Sequence, residues 1–246
     1  MKFFLTGGSG GIGAELAVAL ATAGHDVAFT WYRDAAGARA TQDRIVAAAP
    51  TSRVLALELD VRDAAAVAAV GDAASRALDG IDAIICNAAV TRIAPVPLTE
   101  DADWRDVIDT NLTGSFWVAR HFATAFLAQR RGRFIFISSV AASGMNGQAG
   151  YAASKAGLLG LSGTLAREFG PRGVTSNVIT LGLFDAGMGQ RDATDQLRNF
   201  WTSSAPVRRM GRAEEVTQAV LYLASDAAAF VTGQDLRLTG GLDWAP

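Results

Sequence analysis

The stretch KFFLTGGSGGIG, residues 2–13, decides the fold. A short apolar run passes directly into a glycine-rich turn. The turn opens into GIGAELAVALATAG, residues 11–24, which is apolar along one side and stops at Gly24, a residue suited to end a helix. Glycines let backbone N–H groups approach a phosphate closely, and a helix N-terminus adds partial positive charge. The turn fits G-x-G-x-x-G through Gly8, Gly10 and Gly13, and T-G-x-x-x-G-x-G through Thr6, Gly7, Gly11 and Gly13. A tight turn without a ligand is the bland alternative. Its place after a first strand and at the mouth of a helix favours phosphate binding. Gly7, Ser9, Gly11, Ile12 and Gly13 are the candidate cofactor contacts.

Outward from that turn the pattern alternates. KFFLT, DVAFTW, RVLALEL, IDAIIC, RFIFIS, TSNVIT and DLRLT are short apolar runs, separated by helix-length stretches rich in Ala, Leu, Glu and Arg. Near-continuous apolar strands fit a parallel sheet covered on both faces. Together they predict one doubly wound, Rossmann-type α/β domain over 1–246, with a seven-stranded parallel sheet. Residues 182–204, GLFDAGMGQRDATDQLRNFWTSS, are long for a strand-to-helix connection and are expected to act as a substrate lid.

Half of the 246 residues are hydrophobic, enough for a sizeable core. Net charge is −2, a poor match to nucleic acid. Cys86 stands alone, so no internal disulfide forms and a reducing compartment fits. No apolar run approaches a signal peptide or a membrane span, so a cytoplasmic protein is expected. His25, His121 and one cysteine are too few for a zinc site, and no metal is expected.

TWYRD, residues 30–34, should lie at the tip of the second strand, where an acid would hold a ribose 2′-hydroxyl and a base would meet a 2′-phosphate. No acid sits at the tip itself, and Arg33 is placed for a phosphate. NADP (as NADPH) is therefore expected over NAD, the alternative for Arg33 being a solvated residue opening the next helix.

YAASK, residues 151–155, stands out by composition. Of 22 Lys and Arg residues only Lys2 and Lys155 are lysine, and Lys155 falls four residues after Tyr151, one of 3 tyrosines. Four residues apart on a helix are neighbours on one face. A free phenol is a reluctant acid–base group at neutral pH, and a nearby ammonium should lower its pKa.

These motifs resemble those of the short-chain dehydrogenase/reductase family over essentially the whole chain. The glycine turn, LDVRD (59–63), NAA (87–89), NLTGSF (111–116), ISS (137–139), YAASK and VTGQDLRLTGG occur in the family's order. The resemblance implies a nicotinamide cofactor and hydride transfer between a carbonyl and an alcohol. It implies Tyr151 as proton donor and Lys155 as the group that binds the nicotinamide ribose. Asn111 would hold a water linking Lys155 to solvent, and a serine at the end of strand five would polarise the carbonyl. Counting back from the tyrosine selects Ser138, whereas aligning the strand end selects Ser139. Ser139 is preferred, since sheet geometry fixes strand ends and loops absorb deletions. Asp60 and Val61 would contact adenine, Asn87 and Ala88 would line the cofactor groove, and Gly182 and Leu183 would meet the nicotinamide end. Leu181 stands where the family usually has proline.

Within the family the chain is most similar to bacterial 3-oxoacyl-ACP reductases. That similarity implies reduction of a 3-oxoacyl thioester linked to acyl carrier protein or coenzyme A. Arg130, Arg131 and Arg172 would dock acidic acyl carrier protein near the active-site mouth, unless they only complement helix ends. Phe184, Met188, Phe200 and Trp201 could line an acyl pocket or pack the lid. A dehydrogenase of another secondary alcohol, sugar or steroid, and a non-catalytic dinucleotide sensor, remain as alternatives. The family resemblance implies a homotetramer, and the apolar run AGLLGLSGTLA suits a helix buried on several sides.

Overall fold

The computed structural model describes residues 1–243, with 190–192 described by backbone alone; 244–246 of the expected domain lie outside the described residues. In chain order the regular elements are β1 (Lys2–Leu5), α1 (Gly11–Thr22), β2 (Asp26–Trp31), α2 (Ala35–Ala48), β3 (Val54–Glu58), α3 (Ala64–Leu78), β4 (Ala83–Cys86), α4 (Asp101–Ile108), α5 (Gly114–Gln129), β5 (Gly132–Ser139), α6 (Ala149–Phe169), β6 (Val174–Leu181), α7 (Gly187–Asp192), α8 (Asp195–Ser204), α9 (Ala213–Ala224) and β7 (Asp235–Leu238). All seven strands pair in parallel, in the order β3-β2-β1-β4-β5-β6-β7. The winding therefore reverses between β1 and β4. A crevice opens there, outside the carboxyl ends of the strands, where a doubly wound sheet binds its ligand.

The apolar strands split their side chains between two cores, because successive residues point to opposite faces. Phe3, Leu5 and Phe29 pack with Leu16 and Leu20 of α1 and Val220 of α9 on one side. Phe4, Ile84 and Phe136 pack with Phe122 and Phe126 of α5 and Leu158 of α6 on the other. Each such fully buried side chain contributes about 1.5–3 kcal/mol. These two layers hold the strand ends rigid, and the site is built on them.

One expectation changes character. Residues 182–204 are mostly helical, not irregular, forming α7 and α8. Thr194 caps α8 by accepting a hydrogen bond from the Leu197 N–H at 3.2 Å. Trp201 on α8 is buried against Val140, Ala205 and Leu242.

Candidate active site

The turn after β1 is shaped by close approaches. Gly7 has φ 72, and a β-carbon there would lie 2.8 Å from the Ala88 Cα. Gly11 has φ 55, and a β-carbon would lie 2.6 Å from the Cα of Gly187, where α7 begins. Only glycine allows these positions. Asn87 fixes the turn: its Nδ2 donates to the carbonyls of Thr6 and Gly7, both at 3.0 Å. Thr6 Oγ1 accepts from the N–H groups of Asn87 and Ala88, also at 3.0 Å. Thr6 thus acts as a buried strut for the cradle. The helices α2 and α3 begin with Asp34 and Asp63 bonded to their first N–H groups. By contrast, α1 begins at Gly10 with no side-chain cap. Its free N–H groups and dipole fit an anionic diphosphate, and Gly7, Ser9, Gly11, Ile12 and Gly13 all border the cleft in front of them.

Two connected hollows meet at this turn. The smaller, about 340 Å³, contains Arg33, Asp60, Val61 and Arg62. The larger, about 830 Å³, contains Ser139, Tyr151, Lys155, Gly182 and Leu183. They share Gly7, Ser9, Ala88 and Val90. A long ligand lying across the switch point would reach both. Arg62 brackets the Asp60 carboxylate at 2.6–3.1 Å and holds it below its ordinary range.

The strand and helix that carry the candidate catalytic residues converge at the larger hollow. Ser138 and Ser139 end β5 and face different ways. Ser138 is buried, and its hydroxyl donates to the Lys155 carbonyl at 3.0 Å. Ser139 faces Tyr151: its hydroxyl accepts from Ala141 N–H at 3.2 Å, and its hydrogen bond with the phenol favours the phenolate and works to lower that pKa. Lys155 is 3 % exposed, with Nζ donating to the Ile137 carbonyl at 2.7 Å and lying 5.6 Å from the Tyr151 ring centroid.

The electrostatics differ from the expectation of an acidified phenol. Burial pushes the Tyr151 phenol up to about 12, outweighing the Ser139 hydrogen bond. Burial also pushes the Lys155 ammonium down to about 8. Desolvation penalises each charged form, and the ammonium spends a hydrogen bond on a backbone carbonyl rather than on the phenol.

Asn111 sits in a π-helical turn, Asp109–Thr113, between α4 and α5. Its Oδ1 accepts from Val90 N–H at 2.8 Å, and its Nδ2 donates to the Val90 carbonyl at 2.9 Å and to Ser154 Oγ at 3.1 Å. The side chain thus ties the loop after β4 to α6, one residue from Lys155. Sequence reading missed this tie. The resemblance of NLTGSF could mark Asn111 but not its partners, because a π turn leaves no periodicity of its own.

Past β6, Gly182 donates to the Leu238 carbonyl at 2.9 Å and gives way to Trp201, which a β-carbon would meet at 2.5 Å. The Leu183 carbonyl accepts from Gly211 N–H at 2.9 Å. Phe184 and Met188 border the larger hollow, whereas Phe200 packs against the cluster around buried Trp201.

The arginines expected to dock a carrier lie away from the cleft of their own chain. Arg130 ends α5, Arg131 pairs with Asp226 at 3.0 Å, and Arg172 lies in the turn before β6. All three precede the first residues of β5 and β6, whereas the cleft opens beyond their last residues. An eight-residue strand puts about 26 Å between those ends. Within one chain they lie at the far edge of the sheet from the mouth. Among the described residues no group of metal-ligating side chains occurs and no helix is long and apolar enough to cross a membrane.

Comparison with known proteins agrees with this geometry. Residues 7–243 match a family model described as enoyl-(acyl carrier protein) reductase. The chain is 37 % identical over 239 residues to the 3-oxoacyl-[acyl-carrier-protein] reductase FabG of Escherichia coli strain K12, covering 97 % of this chain and 95 % of that one. It is 36 % identical over 242 residues to nodulation protein G of Rhizobium sp. strain N33, covering 98 % and 96 %. The crystal structure of levodione reductase superposes with a TM-score of 0.91 at 28 % identity, covering 98 % of this chain and 96 % of that one. A seven-stranded parallel sheet, a glycine cradle at its switch point and a match along almost the whole chain lead to one conclusion: the chain belongs to the short-chain dehydrogenase/reductase family of oxidoreductases.

Proposed function

We propose that the chain reduces a 3-oxoacyl thioester, linked to acyl carrier protein or coenzyme A, to the 3-hydroxyacyl form with NADPH. The observation that carries this reading is the meeting of the Ser139 and Tyr151 hydroxyls in the cleft that begins at the glycine cradle. When bound, the nicotinamide supplies the hydride. The α1 N-terminus and the turn at Gly7 and Gly11 hold the diphosphate, and Arg33 meets the 2′-phosphate. Ser139 and Tyr151 hold the substrate carbonyl oxygen and stabilise the charge that develops there. With its phenol raised to about 12, Tyr151 stays protonated at neutral pH and is a proton donor suited to the reducing direction. Lys155, at about 8, is the stronger acid of the pair and can restore that proton. Asn111 positions α6 through Ser154 and so sets where Tyr151 and Lys155 stand.

The identity to 3-oxoacyl-ACP reductases supports the thioester substrate, and the Tyr-x-x-x-Lys spacing favours a ketone over an enoyl group. The test is NADPH consumption on acetoacetyl thioesters, crotonyl thioester, free 3-oxo acids, sugars and steroidal ketones. Turnover is expected on the acetoacetyl thioesters, with a loss of roughly 10²–10⁴ in kcat for Tyr151→Phe. Turnover confined to non-thioester ketones, or reduction of crotonyl thioester alone, would overturn the substrate assignment.

A further inference from the structure

Tyr32 follows β2 at the rim of the smaller hollow, and the residue is 40 % exposed. The next residue, Arg33, has φ 58, in the left-handed region that disfavours a side chain such as arginine. Such a conformation persists where the surroundings enforce it. Here it brings the Arg33 guanidinium over the Tyr32 ring, 4.9 Å from the centroid.

The neighbouring charges make that placement selective. Two acids border the same hollow, Asp60 and Asp106. Arg62 holds Asp60 at 2.6 Å and Asp106 at 2.7 Å, and Arg92 holds the second Asp106 oxygen at 2.7 Å. Both carboxylates are therefore occupied by other arginines. Among the described residues Arg33 has no carboxylate partner. Of the side chains bordering the hollow, three arginines face two acids, which leaves one positive charge in surplus. A guanidinium held over a ring uses none of its N–H donors on a carboxylate, which leaves them for a fork on phosphate oxygens.

We propose that Tyr32 is a positioning residue that sets cofactor choice, its ring presenting the Arg33 fork to the ribose 2′-phosphate while Arg62 and Arg92 keep the local acids from capturing it. This rests on the NADPH reading above and names the device behind it.

Titration calorimetry with adenosine 2′,5′-bisphosphate and adenosine 5′-phosphate tests it without any substrate. The wild type should bind the bisphosphate more tightly, and Arg33→Ala should abolish that advantage. Tyr32→Leu should cut the advantage about three- to fivefold, the scale of an exposed cation–ring contact. Tyr32→Phe, which keeps the ring, should retain it. Tyr32→Leu should add nothing in the Arg33→Ala background. The KM ratio for NADPH against NADH should move in parallel. Equal weakening of both nucleotides by Tyr32→Leu would show that the ring holds adenosine itself and would overturn the inference. An intact advantage in Tyr32→Leu, with loss in Arg33→Ala, would overturn the inference and leave the NADPH reading standing. No bisphosphate advantage in the wild type would sink both.

Discussion

Lys155 is one of only two lysines, and its surroundings explain why an arginine would not serve there. It is buried, it bonds one backbone carbonyl, and a compact ammonium fits where a planar fork would need more partners. Its pKa gives a stability prediction. The folded value, about 8, lies below the ordinary 10.5. Between those values the unfolded chain binds more protons than the native one, so this group's contribution to stability rises with pH across that window. Tyr151, raised from 10.0 to about 12, binds more protons when folded and reverses the trend above pH 10. Urea unfolding of the wild type against Lys155→Met should show the wild type gaining about 2 kcal/mol on the variant between pH 7.5 and 10. A difference independent of pH would refute the buried-ammonium account. The two serines give a second prediction. Ser139→Ala should lower kcat roughly 10–100-fold, whereas Ser138→Ala, deprived only of its bond to the Lys155 carbonyl, should cost about 1 kcal/mol of stability and leave kcat within a few-fold. The reverse order in steady-state kinetics would move the carbonyl-binding role to Ser138. The spacing of Tyr151 and Lys155 was legible in the sequence because helical geometry makes it a contact. The raised phenol was not, because burial is a property of everything packed around α6.

At the scale of elements, the seven strands were legible because a doubly covered parallel sheet demands nearly unbroken apolar runs, and few other structures do. The glycine turn was legible for a similar reason, since close backbone approach excludes side chains. The helices of 182–204 were not read, although Leu197, Phe200 and Trp201 carry the three- and four-residue spacing of an apolar helix face behind a capping threonine. The length of the segment as a strand-to-helix connection suggested a lid loop, and that spacing was not read. At the same scale, the distance of the docking arginines from the cleft of their own chain was not read. Their neighbours in sequence, QRRGRF and PRGV, fix them at strand starts, and a parallel sheet puts starts and ends on opposite edges. The cap on α8 is testable. Thr194→Ala should remove about 1 kcal/mol from that helix. Amide hydrogen exchange should then quicken about fivefold across α8, with α1 and β6 unchanged. Loss of protection spread through the sheet would mean that the segment is an integral part of the core and not a separately opening lid.

Among the described residues, the uncovered apolar side chains include two groups set apart in the fold. On α5 and α6, Phe116 is 40 % and Leu159 37 % exposed, and a β-carbon on Gly160 would meet nothing within 4 Å. Toward β7, Phe230 is fully exposed and Tyr222 is 45 % exposed. A chain with two distinct self-complementary patches closes as a tetramer with dihedral symmetry, since each patch meets its own copy across a two-fold axis. We propose that assembly for this chain, with the small residues of α6 allowing two copies of the helix to approach closely. Sedimentation velocity should show a tetramer of 25.6-kDa chains. Leu159→Arg and Phe230→Asp should each yield dimers, and the double variant should yield monomers, because each substitution places charge at the centre of one patch only. Two different dimers are needed for this outcome, so a wild type that sediments as a monomer, or a single substitution that produces monomers directly, would remove the case for two independent interfaces. The arginines at the starts of β5 and β6 take part in the same measurement. If assembly brings the far edge of one chain beside the cleft of another, Arg130→Glu and Arg172→Glu should raise KM for a carrier-linked substrate in the tetramer and have no effect on a coenzyme A thioester, while an equal effect on both substrates would assign them to folding rather than to docking.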